Sequence, residues 1–250
     1  MLRRSYLLVC MSMIFVSHSE EVNSGAFIFS GSANGLGLIA HPSGYTGSGG
    51  ALEVNVCVVP NSPFAVELEV PTLNAINTWN KLAPTVGNIS FSAPGLGSNQ
   101  VDYESVALHE LGHCVGLAHP NLGAQGNLSG ADTNYTNSTT GPDGAFSLNA
   151  GTDGLIGSSD DMRGDDENLH WFDIGSNDPF LIQGIVDSTT FSRDLMDLPQ
   201  NHTFASNADR DIGNLLGYPN TEAVMQQLTF AGESQRTLVA DDVHLSLIHI

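Results

Sequence analysis

His109 and His113 stand four positions apart, with Glu110 directly after the first and His119 following further on. On an α-helix that spacing puts both imidazoles on one face, where they can share a metal ion. A carboxylate next to the first ligand is placed to hold and deprotonate a water at such a centre. Gly116 can take the left-handed conformation that ends a helix and turns the chain back. His119 can then add a third nitrogen, leaving a fourth position for water. The chemistry that suits these types at this spacing is hydrolysis, with Glu110 as general base.

Such a site needs a helix to carry it and a scaffold to aim it. Asp102 is a suitable cap for a helix bearing Val106, His109, Glu110 and His113. Upstream, Leu52 to Val59 alternate like a strand, closed by Pro60. Leu73, Ile76, Trp79 and Leu82 recur every three residues behind Pro71, which predicts an amphipathic helix of about three turns ending before Pro84. Ile89 to Phe91 reads as a short strand, followed by a Gly-rich loop leading to Asp102.

The run His109-Glu110-Leu111-Gly112-His113-Cys114-Val115-Gly116-Leu117-Ala118-His119 resembles the metzincin signature H-E-x-x-H-x-x-G-x-x-H at every fixed position. The resemblance implies an α+β zincin: a twisted, mainly parallel sheet, a zinc-binding active-site helix and a C-terminal subdomain, here with a long insertion. It implies one catalytic Zn2+ on His109, His113 and His119, Glu110 as the catalytic residue, and protein or peptide substrates lying extended along a strand near Ile89 to Phe91. Metzincins also place a methionine beneath the ligands. Met225 is the better candidate, because Leu238-Val239-Ala240-Asp241-Asp242-Val243 follows it at the distance of a matrixin's last helix; Met196, with Pro199 soon after, is the runner-up. His119-Pro120 resembles the serralysins, but Gln227 stands where they carry a tyrosine ligand, so the likeness is closer to the matrixins. A zinc-containing secreted binding or surface protein with an inactive domain is the alternative, and a non-peptide zinc hydrolase a third. A structural zinc site would more usually be closed by a fourth protein ligand.

Composition narrows the setting. Lys and Arg total 7 against 27 Asp and Glu, a net charge of −20. That surface disfavours nucleic acid and anionic membranes as partners. Arg3-Arg4, an apolar core from Tyr6 to Val16 and small residues at Ser17 and Ser19 read as a signal peptide over residues 1–19, hence secretion and no stable membrane insertion. A Gly/Ser-rich leader over 20–50 then precedes an N-terminal catalytic subdomain over 51–119 and a C-terminal one over 120–244, which includes an insertion over 120–217. With the leader removed, Cys57 and Cys114 are expected to form one disulfide, Cys114 pointing away from the metal and towards the sheet. The acidic stretch from Asp153 through Asp160-Asp161 to Asp165-Asp166-Glu167 suggests structural Ca2+, or simply a solvated loop. His170 and His202 read as packing residues. Sequons at Asn88, Asn127, Asn134, Asn137 and Asn201 would matter only in a eukaryotic host. Residues 245–250 resemble a translated cloning adapter, which would stop the last helix just after it starts.

Overall fold

Alternation sets the first element that supports the site. In the computed structural model, which describes residues 11–16, 51–91, 93–117, 119, 149–161, 171–192, 194–226 and 229–249, strand β2 spans Ala51–Val56. Leu52 is buried, and Val54 and Val56 pack against the main core, while Glu53, Asn55 and Cys57 face outwards. Strand β1, Met11–Val16, lies within the apolar core of the expected leader and pairs antiparallel with β2.

Helix α1, Ala65–Lys81, begins six residues before the expected Pro71 start and keeps Pro71 inside it. The carbonyl that Pro71 cannot bond, that of Glu67, belongs to an exposed turn with Val66 and Val70, so it is not left unpaired in the interior. The inner face buries Thr72, Ala75, Ile76 and Trp79, and the helix ends at Leu82 in the left-handed region. Trp79 is fully enclosed and donates its indole N–H to the Leu108 carbonyl at 2.8 Å. That bond ties α1 to helix α2, Tyr103–Cys114.

The remaining elements are short. Strand β3 is Ile89–Ser90, β4 Phe172–Asp173, β5 Phe191–Ser192 and β6 Ser234–Gln235; helix α3 is Arg210–Leu215 and α4 Ala240–His249. The described strands form three two-stranded antiparallel pairs: β1 with β2, β3 with β6, and β4 with β5. The α+β class therefore stands, but the expected mainly parallel sheet is corrected among the described residues. The cause is pairing: β2 bonds back to β1 rather than sideways to β3, so α1 does not act as a crossover between parallel neighbours.

Two cores hold the chain together. One gathers Leu52, Ile76, Trp79, Leu108, Leu111 and Met225 with residues of α4. The other packs Ile156, Phe180, Phe204, Ala208 and Ile212 against Ala223 and Val239. Residues expected to belong to a long insertion thus build a core with both flanks of the Met225 segment. Arg210 fastens the same segment, bonding Glu222 at 2.6 Å and Glu233 at 2.7 Å. Helix α4 runs to His249, through residues 245–249 of the suspected adapter, and Leu245 and Ser246 are buried. No described helix is long and apolar enough to cross a membrane.

Candidate metal centre

Helix α2 is anchored at its start. Asp102 accepts from the Ser105 N–H at 3.0 Å as the N-cap, as expected from its position, and its carboxylate also receives Arg236 at 2.6 and 2.9 Å. Burial pushes the Asp102 pKa up, but the bonds from Arg236 and Ser105 outweigh it and hold the group below its ordinary value. The Ser105 hydroxyl accepts from the Gln235 N–H at 2.7 Å, fixing this end of α2 on β6.

At its far end α2 closes with paired backbone bonds. Gly116 donates to the His113 carbonyl and Leu117 to the Gly112 carbonyl, each at 3.0 Å, with Gly116 at φ +96°. This is the Schellman arrangement, and its left-handed position favours glycine. The chain therefore reverses within three residues and brings His119 back over the helix.

The three Nε2 atoms meet. His109 and His119 are 3.0 Å apart, His113 and His109 3.1 Å, and His113 and His119 3.2 Å. Two of the rings have their tautomers fixed from behind. His109 Nδ1 donates to the Val224 carbonyl at 2.7 Å, and His113 Nδ1 donates to the Leu117 carbonyl at 2.8 Å. A carbonyl can only accept, so the proton of each neutral ring sits on Nδ1 and the Nε2 lone pair points inward. Burial lowers the His109 pKa, and burial together with the neighbouring His109 and His113 pushes His119 down to about 4. The inward-facing lone pairs of His109 and His113, 3.1 Å apart, repel each other, and a cation between them would relieve that repulsion. A tetrahedral metal with nitrogen bonds of about 2.0–2.1 Å sets its ligand atoms about 3.4 Å apart, close to this triangle. The half-buried His109, His113 and His119 set could hold one metal ion.

Glu110, one residue past His109, is exposed on the solvent side of α2. Met225 is fully buried beneath the helix: a Cβ added at Gly112 would run into its sulfur and approach Trp79. Met196 lies far from such a role, 89% exposed on a single 3-10 turn. Gln227 lies outside the described residues.

The expected Cys57–Cys114 disulfide is corrected: the two cysteines are not joined to each other, and both residues are exposed. Cys57 continues the outward phase of β2, and Cys114 sits on the solvent side of α2 rather than facing a sheet. Burial, then the charge of Glu110, raises the Cys114 pKa. The edge expected to receive substrate is also occupied in part, since β3 pairs with β6 and the Ile89 N–H donates to the Asn220 carbonyl at 3.0 Å. His202 behaves as a packing residue, its Nδ1 accepting from the Asn177 amide at 2.9 Å. Asp153, Asp160 and Asp161 do gather, with carboxylate oxygens within 4.8 Å, but they bond largely to Thr152, Ser158 and backbone of their own loop. His170, Asp165, Asp166 and Glu167 lie outside the described residues.

Sequence reasoning treated Asp242 only as a distance marker, yet its buried carboxylate accepts the N–H groups of Val224 at 3.0 Å, Met225 at 3.2 Å and Val239 at 3.0 Å. A pair of acids inside the apolar run Leu238 to Val243 was the available signal, because a buried carboxylate requires donors. No family model, no curated protein and no solved structure matches this chain.

Proposed function

We propose that this chain is a secreted zinc-dependent endopeptidase of metzincin type, nearest to the matrixins, that hydrolyses peptide bonds in protein substrates. The observation that carries the reading is the convergence of three histidine Nε2 atoms within 3.2 Å, with Glu110 exposed one residue beyond the first of them. His109, His113 and His119 would hold the zinc, which when bound polarises a carbonyl and acidifies water. Glu110 takes a proton from the attacking water on its carboxylate and returns it to the nitrogen of the departing amine. Gly116 makes the turn that presents His119, and Met225 supports α2 from below without touching the chemistry. The leader pattern of Arg3-Arg4 and the apolar run behind it supports secretion.

Glu110→Gln preserves the size of the side chain and removes the base. We expect wild-type protein to bind about one zinc per chain and cleave casein in a chelator-sensitive manner, while the variant keeps its zinc and loses about 10²–10⁴-fold in rate. Casein cleavage by the variant at the wild-type rate would overturn the mechanism.

A further inference from the structure

Behind the first ligand lies a continuous path of hydrogen bonds that ends on a carboxylate. His109 Nδ1 donates to the Val224 carbonyl at 2.7 Å. That carbonyl shares its peptide unit with the Met225 N–H, which donates to Asp242 Oδ1 at 3.2 Å. The preceding peptide N–H, on Val224, donates to Asp242 Oδ2 at 3.0 Å, so both carboxylate oxygens grip the turn. Asp242 is fully buried, and its third donor, the Val239 N–H, also comes from the backbone.

A peptide whose N–H is bonded to an anion has a more negative carbonyl oxygen, because the amide is conjugated and hydrogen bonds in series polarise one another. A stronger acceptor at Nδ1 makes the other ring nitrogen a better donor to a metal. We infer that Asp242 is a positioning residue for the metal centre, acting on His109 through the Val224–Met225 peptide. It orients the ring and enriches its Nε2, in the way a directly bonded carboxylate does for a metal-bound histidine, with one peptide interposed. The inference rests on the metal-site reading above.

Its neighbour supplies the control. Asp241 is also buried and one residue away on α4, but its Oδ2 has no hydrogen-bond partner among the described residues. The experiment measures zinc affinity by chelator competition, and the visible spectrum of the cobalt-loaded protein, for wild type, Asp242→Asn and Asp241→Asn. Asp242→Asn should lose at least about 10-fold in zinc affinity and shift the cobalt bands, while Asp241→Asn leaves both near wild type. Equal affinity in all three proteins, or equal losses in both variants, would overturn the inference. A wild-type chain that binds neither metal would overturn the metal centre itself and this inference along with it. If Asp242→Asn does not fold, the zinc-loaded wild type decides by NMR: the His109 Nδ1 proton should resonate downfield of the His113 Nδ1 proton, and the reverse order would overturn the inference.

Discussion

Three imidazoles aimed at one point are hard to explain by packing alone. His109 and His113 each spend their Nδ1 proton on a backbone carbonyl, so neither can donate to the other across the 3.1 Å between their Nε2 atoms. The lone pairs of His109 and His113 therefore face each other, a repulsion that a cation between them would relieve. The same scale settles the cysteines. Cys114 is exposed and not joined to Cys57, so its thiol should react with a thiol reagent in native protein without reductant. Peptide mapping under non-reducing conditions checks this, and a Cys57–Cys114 cross-linked peptide would show the disulfide after all. The three candidate histidines, Glu110 and Gly116 were legible in the sequence because each depends on side-chain type at fixed local spacing. The carbonyls of Val224 and Leu117 were not, because every residue carries one and only the fold selects which is used.

At the scale of elements, α2 is the organising piece, and its underside is set by a glycine. Gly112 lies against Met225 and Trp79 with no room for a Cβ. Gly112→Ala would gain about 1 kcal/mol of helix propensity, but overpacking typically costs about 1–3 kcal/mol. Backbone on one side and a fully buried methionine on the other leave little room to yield, so overpacking wins. We expect a net loss of up to about 2 kcal/mol, measured by urea unfolding of the metal-free protein, and an unchanged or raised midpoint would show that Met225 can move. Helix α2 and its Asp102 cap were legible because cap and periodicity are local signals. The sheet was not: β3 to β6 are two residues each, and pairing of such strands depends on contacts far apart in sequence. The early start of α1 was hidden by Pro71, which reads as a first-turn residue yet sits within the helix because the turn before it is exposed.

The whole molecule carries opposed buried charges, and their balance sets its response to pH. Burial lowers the pKa of His109, His119, His202 and His244 from 6.5, so these groups favour the folded state increasingly as pH rises towards that value. Burial raises Asp209 and Asp242 to about 6 and Glu222 to about 7, and raises Asp241 well above 3.8. Their contribution is full below the unfolded values of 3.8 and 4.5 and is lost as pH climbs through the folded ones. Between about pH 4 and 6.5 the two groups offset each other; above 6.5 the histidines have finished titrating and only the acids continue. The metal-free protein should therefore lose thermal stability steadily from about pH 6.5 to 8. Melting temperatures taken in chelator across that range test this, and a rise would contradict the balance drawn here.

Asn88 brings a consequence for how the protein can be made. Its amide is buried between β3 and the Met225 segment, donating to the Glu222 carbonyl at 2.8 Å and the Thr237 carbonyl at 3.0 Å while accepting the Glu222 N–H at 3.1 Å. The same nitrogen is the acceptor of an Asn-Ile-Ser sequon. In a eukaryotic secretory host, a sugar added there before folding would remove one of these donors and place a bulky polar chain where the interior must close. Ser90→Ala erases the sequon at an exposed position and leaves Asn88 to its three partners, so that variant is the form to produce in such a host.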